Sequence, residues 1–273
     1  MGKFDKMLIC TDLDGTLLKN DKTISKENYD AIEYFKKEGG LFTFVTGRVP
    51  LTSIEIYDMV KPNIAYGCIN GGGVYDQKKA EYMWLHPIER EVLEIVEYVD
   101  KTLPEVGIQL NTVDALYICK DNLSMVEFRN ITKTPNIESH YNDVNETLVK
   151  IIFSEHREEE MQKLMRTVEN HKLASKYHLV RSERRLFEIL PKGISKATSL
   201  DKLVEIYNLD INKTIAVGDY YNDVEMIRHA KVGVAVSNAC EEAKKAADIV
   251  TVSNEDSAIA RIIEGLENGT INL

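Results

Sequence analysis

The amino-acid sequence predicts an α/β protein whose parallel-sheet core, flanked by helices, is interrupted by an inserted α+β domain. Two stretches, residues 7–69 and the part after Pro191, alternate short apolar runs with helical patterns. This alternation is typical of parallel strands that are joined by crossover helices. Between the two stretches, strand and helix patterns occur without this regular alternation, which indicates a separate domain.

The elements of the core follow from apolar runs that end at turn residues. Between the first two runs, Tyr29, Ile32 and Phe35 recur at helical spacing, and Gly39-Gly40 ends that helix. We expect strands at 7–11, 41–45 and 64–69 and helices at 25–38 and 51–60. After Pro191 we expect helices at 195–207 and 223–229, an alanine-rich helix, a helix that ends near 266, and strands at 214–217, 232–236 and 249–252.

The middle of the chain contains enough elements for a domain of its own. Its expected helices are 88–103 and 158–169, and its expected strands are 107–110, 116–119, 149–153 and two that flank 181–185. We therefore predict a core made of residues 1–83 and 189–273 and an inserted cap made of residues 84–188.

Composition and charge restrict the class of partner. The 273 residues are 44% hydrophobic and 29% charged, as in ordinary globular proteins. The formal net charge of −10 argues against nucleic acid or an anionic membrane surface as the main partner. No apolar run approaches the roughly 20 residues of a membrane span, and the start of the chain lacks a secretory core. We expect a cytoplasmic protein, and the sequence leaves its oligomeric state open.

The cysteines and histidines show no metal-binding pattern. The four cysteines are widely spaced and form no Cys-x-x-Cys pair, and the six histidines have no paired spacing. Buried free thiols are therefore favoured over a zinc site or disulfides.

Four polar segments occur where a predicted strand ends or a helix begins. The carboxyl ends of parallel strands meet at one edge of a sheet, so distant segments can converge there. Together they predict a magnesium-dependent phosphate site. The segments are Asp12-Leu13-Asp14-Gly15-Thr16, Thr46-Gly47-Arg48, Lys196 and Gly218-Asp219-Tyr220-Tyr221-Asn222-Asp223.

The first segment offers two carboxylates. Asp12 is a candidate nucleophile and Asp14 a candidate acid and base, provided that the Gly15-Thr16 turn redirects the second carboxylate. The same residues also suit a surface turn. A calcium loop fits less well, because Thr16 and Leu17 stand where that loop needs an acidic residue and a glycine.

The second and third segments offer groups for an anion. The Thr46 hydroxyl and the Gly47 N–H suit a phosphate oxygen, although a plain strand-ending turn explains them equally well. Lys196 lies in the first turn of a predicted helix, where a cation is unfavourable against the helix dipole unless an anion lies between them. A solvated surface lysine is the alternative.

The fourth segment brackets a strand-to-helix turn. Asp219 can reach a hard cation, and Asp223 can fix one of its waters or orient Lys196. Asn222 can bind the phosphate or hold the same lysine. Helix capping by Asp219 and Asn222 is the alternative.

In this order and context the motifs resemble those of haloacid dehalogenase (HAD) superfamily phosphatases, of the Cof-like branch with a large α/β cap (subclass IIB). The resemblance implies a Rossmann-like core. It implies that Asp12 is the phosphorylated nucleophile, that Asp14 is the general acid and base, and that the phosphate is held by Thr46, Gly47, Lys196 and Asn222. The implied ligands of Mg²⁺ are the Asp12 carboxylate, the Asp14 backbone carbonyl and Asp219, with Asp223 supporting through water.

The expected function is that of a magnesium-dependent phosphomonoesterase. Its substrate class is a small phosphorylated metabolite, such as a sugar phosphate or a phosphorylated cofactor, and its intermediate is an aspartyl phosphate. A phosphomutase of the same fold is one alternative, and a regulatory phosphate-binding protein without catalysis is another. Asp14 argues against the second alternative, because an acid beside the nucleophile promotes turnover.

The insertion is expected to select the substrate. It leaves the core after the third strand and returns just before Lys196, so we expect it to hang over the mouth of the site. For the three candidates that lie in the insertion, a solvated hairpin residue is the alternative. The candidate substrate residues are Arg48, Asn70, Arg181, Ser182 and Arg184.

Overall fold

The computed structural model describes residues 2–132 and 135–273 of the chain. The chain divides into two compact units. The core unit comprises Met1–Gly47, Ser53–Trp84 and Ser195–Leu273, and the inserted unit comprises Arg48–Thr52 and Leu85–Ile194. No helix among the described residues has the length and apolar character that crossing a membrane requires.

The strands and helices alternate along both flanks of the chain, as the sequence predicts. The strands are β1 (Leu8–Thr11), β2 (Leu41–Phe44), β3 (Tyr66–Cys68), β4 (Gly73–Asp76), β5 (Glu81–Leu85), β6 (Gly107–Thr112), β7 (Leu116–Lys120), β8 (Ile137–Glu138), β9 (Leu148–Ser154), β10 (Tyr177–Glu183), β11 (Leu186–Pro191), β12 (Thr214–Gly218), β13 (Val232–Ala235) and β14 (Ile249–Val250). The helices are α1 (Lys26–Lys37), α2 (Ile54–Val60), α3 (Leu93–Thr102), α4 (Leu123–Thr132), α5 (Glu158–Glu169), α6 (Lys196–Ile206), α7 (Val224–His229), α8 (Glu241–Ala246) and α9 (Ala258–Asn268).

The core unit is built on a parallel sheet with the strand order β14-β13-β12-β1-β2. Strand β1 lies between β12 and β2 and is fully buried, because parallel sheets are covered on both faces. Leu8 and Cys10 point to one face, where they pack with Leu200 of α6 and Met226 of α7. The carboxyl ends of β12, β1 and β2 are therefore neighbours, and the segments that follow them begin side by side.

The third predicted strand differs from its expectation. The sequence predicts a parallel strand over 64–69, but β3 pairs antiparallel with β4, in a separate sheet of order β3-β4-β5. Its described pairing with the parallel sheet is one isolated bridge, between Val45 and Gly67, and this bridge has the predicted parallel direction. The chain reverses through a tight turn at Ile69–Gly71, so β3 has a hairpin partner close by in sequence.

The inserted unit is an antiparallel sheet with helices on its apolar face. The strand order is β10-β11-β9-β6-β7-β8, with only the short β7–β8 pair parallel among the described strands. Alternate residues along β6 are apolar, and Ile108 and Leu110 pack with Val96 of α3 and Leu164 of α5. The same burial pattern explains why the sequence predicts α5 at its observed bounds.

Several elements depart in detail from the sequence predictions. The helices predicted over 51–60 and 88–103 each begin with a separate 3₁₀ turn, at Pro50–Thr52 and Arg90–Val92. The sequence analysis did not predict α4, β4, β5 or β8. The two-residue strand β8 is too short to carry an alternating pattern.

Candidate active site

A buried lysine joins two carboxylates at the carboxyl end of the parallel sheet. Lys196 is the first residue of α6, whose start is fixed by a capping box between Ser195 and Thr198. Its Nζ contacts Asp12 Oδ1 and lies 2.5 Å from Asp223 Oδ1. The lysine side chain is only 1% exposed. The ion pairs therefore satisfy a cation that burial alone would make costly.

The electrostatics of this cluster follow from burial. Burial raises the pKa of Asp12 well above its usual value, and the carboxylates of Asp223 and Asp219 add to that shift against the opposing effect of Lys196. Burial alone would lower the pKa of Lys196, but its contacts with Asp12 and Asp223 raise it above its usual value. The lysine is thus held as a cation, while the carboxylates repel one another.

Asp219 completes the acidic cluster. It follows β12 directly, and its Oδ1 accepts a hydrogen bond of 2.8 Å from the Thr16 hydroxyl. Burial first, and then the neighbouring Asp223 carboxylate, raise the pKa of Asp219 to about 7. Each of the three carboxylates, of Asp12, Asp219 and Asp223, offers an oxygen within 4.8 Å of the others.

The donor set fits a hard divalent cation. When all three carboxylates are ionised, the ammonium of Lys196 leaves two of their negative charges uncompensated in this largely buried cluster. All three offer oxygen ligands, which suit Mg²⁺ better than the nitrogen and sulfur ligands of zinc sites. A cation here would offset both the burial and the mutual repulsion that raise the pKa values of Asp12 and Asp219.

Asp14 lies beside the cluster in a more open position. Its side chain is 26% exposed, and its Oδ1 accepts a 2.8 Å hydrogen bond from Lys22 Nζ. Gly15, with a φ of +87°, turns the chain at this point. A Cβ on Gly15 would lie 2.6 Å from Asp219 Oδ2, so only glycine lets this turn approach the acidic cluster.

Asp223 also shapes the loop that carries Asp219. Its Oδ2 accepts hydrogen bonds from the backbone N–H groups of Asp219, at 2.9 Å, and Tyr220, at 3.0 Å. One carboxylate thus holds the loop with one oxygen and Lys196 with the other. The two interactions together orient the strand-to-helix turn.

The segment after β2 meets two asparagines. The Thr46 N–H donates to the Gly67 carbonyl, and the Thr46 carbonyl accepts from the Asn70 N–H, both at 3.0 Å. A Cβ on Gly47 would lie 2.9 Å from Asn70 Oδ1. Asn222 Nδ2 donates to the same Asn70 oxygen at 2.9 Å. Two of the phosphate-binding candidates, Gly47 and Asn222, therefore converge on Asn70.

The remaining candidates belong to the inserted unit. Arg48 Nη1 donates to the Thr52 carbonyl at 3.4 Å. Arg181 forms a bidentate pair with Glu158, at 2.8 and 2.6 Å, and also donates to the carbonyl of Arg184, whose side chain is exposed.

Ser182 belongs to a buried polar group on the inserted sheet. Its hydroxyl donates to Glu188 Oε1 at 2.6 Å, and Lys150 Nζ pairs with Glu188 Oε2 at 3.0 Å. Gln109 and Asn111, which are joined by a 2.6 Å hydrogen bond, are buried as well and alternate with the apolar residues of β6. We call these five residues the polar face of the inserted unit.

Some contacts of the candidate site and of the polar face could not be predicted from the sequence. Lys22 was not a candidate, because nothing in the sequence indicates that its turn returns to Asp14. Lys150 and Glu188 lie on different strands and become partners only through the β9–β11 pairing. Their charges within otherwise apolar strands were the available signal.

Comparison with known proteins defines the class. A family model described as haloacid dehalogenase-like hydrolase matches residues 9–263. The 5-amino-6-(5-phospho-D-ribitylamino)uracil phosphatase YitU of Bacillus subtilis is 28% identical over 275 residues, covering 94% of this chain and 96% of the relative. The phosphatase YwtE of the same organism, which carries the same activity in its name, is 29% identical over 286 residues, covering 96% and 98%.

Solved structures give the same result. A haloacid dehalogenase-like hydrolase from Bacteroides thetaiotaomicron superposes with a TM-score of 0.83 at 26% identity, covering 95% of this chain and 99% of the other. A HAD subclass IIB sugar phosphatase superposes with a TM-score of 0.82 at 20% identity, covering 97% and 100%, and at that identity shows the fold alone.

The chain belongs to the haloacid dehalogenase-like hydrolases. Its curated relatives are named phosphatases, so the enzyme class is that of a hydrolase of phosphoric monoesters. The family, the fold class and the enzyme class that the sequence predicts are thereby confirmed.

Proposed function

We propose that this protein is a magnesium-dependent phosphomonoesterase that hydrolyses a small phosphorylated metabolite through an aspartyl phosphate, an acyl phosphate formed on Asp12. The observation that carries the proposal is the position of Asp12, directly after a buried strand of the parallel sheet and in contact with the buried ammonium of Lys196. A carboxylate that is fixed in this way is held ready for attack, and its cationic neighbour suits the oxygens of a phosphate.

The first step is an in-line displacement. An Asp12 carboxylate oxygen forms a bond to phosphorus while the bond from phosphorus to the leaving oxygen breaks. Asp14 gives its proton to that oxygen, so the product leaves as a neutral alcohol. The turn at Gly15 and the partial exposure of the Asp14 side chain support this role, because a proton donor must be accessible to the leaving group.

The second step restores the enzyme. Asp14, now a carboxylate, takes a proton from a water molecule whose oxygen attacks phosphorus, and the bond from phosphorus to the Asp12 oxygen breaks. Inorganic phosphate is released, and Asp14 is protonated again for the next cycle. The Thr46 hydroxyl, the Gly47 N–H, Lys196 and Asn222 are the groups that hold the phosphate in both steps.

Mg²⁺ would be held by the Asp12 carboxylate, the Asp14 backbone carbonyl and Asp219, with Asp223 in support. When bound, it supplies positive charge that neutralises the phosphate oxygens. Asp223 has a second task, because it pairs with Lys196 and holds the backbone of the Asp219 loop.

The substrate class follows from relatives and from the inserted unit. Two relatives are named for a phosphorylated ribityl compound, and a structural neighbour is named a sugar phosphatase. Both substrate types are rich in hydroxyl groups. We assign recognition of the leaving group to the inserted unit, because its polar face offers buried amide and charged groups that can pair with hydroxyls.

Asp12→Asn tests the proposal. The change is nearly isosteric but removes the attacking charge, so phosphate release in the presence of Mg²⁺ should fall by at least about 1,000-fold. Asp30→Asn is the matched control, because Asp30 lies exposed on α1, where it forms an exposed ion pair with Lys26. Both variants should keep the wild-type melting temperature within a few degrees.

The outcome also separates the alternatives. Near-normal turnover of Asp12→Asn would contradict the nucleophile role. Wild-type turnover that depends on an added sugar bisphosphate and yields no inorganic phosphate would indicate a phosphomutase. No turnover of any compound in a broad panel of phosphorylated metabolites would favour the regulatory alternative.

A further inference from the structure

A strained turn lies beside the phosphate-binding segments. Ile69, Asn70 and Gly71 have φ values of +57°, +50° and +99°, so three successive residues occupy the left-handed region. Ile69 is a β-branched residue, for which this conformation is a true outlier. Both Ile69 and Asn70 are almost fully buried. Such backbone strain persists only where the surroundings fix the conformation, and it concentrates at functional sites.

The surroundings that fix the turn are the segments of the candidate site. The Asn70 N–H donates to the Thr46 carbonyl at 3.0 Å, which ties the turn to the segment after β2. A Cβ on Gly71 would lie 1.7 Å from the Ser195 carbonyl oxygen and 2.8 Å from the Lys196 nitrogen. The turn therefore packs backbone against backbone at the start of α6, where the buried lysine begins the helix.

The Asn70 side chain reaches the remaining segment. Its Oδ1 accepts the hydrogen bond from Asn222 Nδ2, across 152 positions of sequence. Its carboxamide also lies against Gly47, where a Cβ would come within 3.0 Å of both its oxygen and its nitrogen. One turn thus contacts the three separate segments that carry Gly47, Lys196 and Asn222.

We propose that Asn70 is a positioning residue for the phosphate site, which acts by orienting the Asn222 carboxamide and the Gly47 backbone. The proposal rests on the proposed function, and it gives Asn70 a different task from the contact with the leaving group that the sequence analysis suggests. Asparagine suits the task because it tolerates the left-handed region and carries a rigid carboxamide. Glycine would tolerate the backbone equally well but could not orient Asn222.

The substitution Asn70→Gly separates the effect of the Asn70 carboxamide from that of its backbone conformation. Glycine accepts a positive φ, so the substitution removes the carboxamide without adding backbone strain. We expect kcat/KM for p-nitrophenyl phosphate to fall about 100-fold, as displacement of a phosphate-binding group by about 1 Å can cause. Lys61→Gly is the matched control, because Lys61 also has a positive φ, of +49°, and lies exposed at the end of α2. That control should keep wild-type kinetics.

A double-variant comparison tests the route of action. If Asn70 acts through Asn222, then Asn70→Gly combined with Asn222→Ala should lose little more activity than Asn222→Ala alone. A purely structural role would not produce this lack of additivity. Losses that multiply, or an Asn70→Gly enzyme with wild-type kcat/KM and the melting temperature of Lys61→Gly, would overturn the proposal.

A binding measurement distinguishes failure of the inference from failure of the proposed function. Tungstate, a phosphate analogue, can be titrated calorimetrically into each variant with Mg²⁺ present, and the measurement needs no turnover. We expect about tenfold weaker binding by Asn70→Gly. Equal binding overturns the role of Asn70, whatever the wild type hydrolyses. An inactive wild type that binds tungstate overturns only the phosphatase proposal, and one that does not bind it overturns both.

Discussion

At the scale of single residues, charge balance explains most of the candidate site. One buried ammonium, that of Lys196, lies between the carboxylates of Asp12 and Asp223, and Asp219 adds a third carboxylate. Burial and mutual repulsion keep the pKa values of Asp12 and Asp219 high. Ionising these groups in the folded protein therefore costs free energy that a bound cation can offset.

This balance predicts how Mg²⁺ affects thermal stability. The folded pKa of Asp219, about 7, lies above that of an unfolded aspartate, so its ionisation lowers the free energy of unfolding as pH rises towards 7. Above pH 7 the ionised carboxylates bind Mg²⁺ without competition from protons. We expect Mg²⁺ to raise the melting temperature more at pH 8 than at pH 5.5, as measured by calorimetry.

Asp219→Asn is the control for this effect. It removes one charge of the cluster at nearly constant volume, so most of the Mg²⁺-induced rise at pH 8 should disappear. The metal-free variant should be at least as stable as the metal-free wild type at that pH, because a repulsive charge is gone. If the Mg²⁺-induced rise in melting temperature is equal at both pH values, or is unchanged by Asp219→Asn, then the cation binds elsewhere.

At the scale of elements, each component of the site stands at a junction between a strand or turn and a helix. The sequence predicts these junctions well, because apolar runs of strand length end at Asp12, near Thr46 and at Asp219. Contacts between turns could not be predicted in this way. The Asn70–Asn222 hydrogen bond and the ion pair of Lys22 with Asp14 depend on how the loops fold back after the strands have paired.

The turn that carries Lys22 yields an element-scale prediction. Lys22 has a φ of +65°, and its turn is closed by a 2.9 Å hydrogen bond from the Lys19 N–H to the Thr23 carbonyl. The turn thus places the Lys22 ammonium on Asp14, the proposed acid. In Lys22→Met we expect Asp14 to lose that orientation and to protonate leaving groups less efficiently.

The type of leaving group reveals this loss. p-Nitrophenol leaves as an anion and needs little protonation, whereas a sugar alcohol needs it. Lys22→Met should therefore lower kcat for a sugar phosphate about tenfold more than kcat for p-nitrophenyl phosphate. Lys26→Met is the control, because Lys26 forms an exposed ion pair with Asp30 on α1. Equal effects on both substrates would contradict a role of Lys22 in protonation of the leaving group.

At the scale of the whole molecule, the sheets of the two units differ in which of their faces are apolar. The core unit has a sheet buried on both faces, while the inserted unit has one apolar face and one polar face. The sequence predicts two such bodies, because the regular alternation of strands and helices stops and later resumes. It could not predict the strand order of the inserted sheet, since long-range antiparallel pairing leaves no local pattern. For that reason the partners of Ser182 were also unforeseen.

The polar face gives the last prediction, which concerns substrate choice. Gln109 and Asn111 hydrogen-bond to each other, so changing both to leucine removes the pair without leaving one buried partner unsatisfied. We expect the double variant to fold and to hydrolyse p-nitrophenyl phosphate within about twofold of wild type. Its preference among sugar and polyol phosphates, measured as ratios of kcat/KM, should shrink about 10-fold or more, because sites that hydrogen-bond hydroxyls discriminate strongly.

A matched control keeps this test specific to the polar face. Gln162→Leu makes the same kind of change on α5 of the same unit, where Gln162 donates to Glu158 on an exposed surface. That variant should retain both the rate and the order of substrate preference. If the Gln109 and Asn111 double variant also keeps the wild-type order, then the inserted unit selects its substrate through other residues, or the core unit makes the selection. If instead the double variant loses its preference among sugar and polyol phosphates but hydrolyses p-nitrophenyl phosphate as before, then recognition of the leaving group is separate from the chemistry at Asp12.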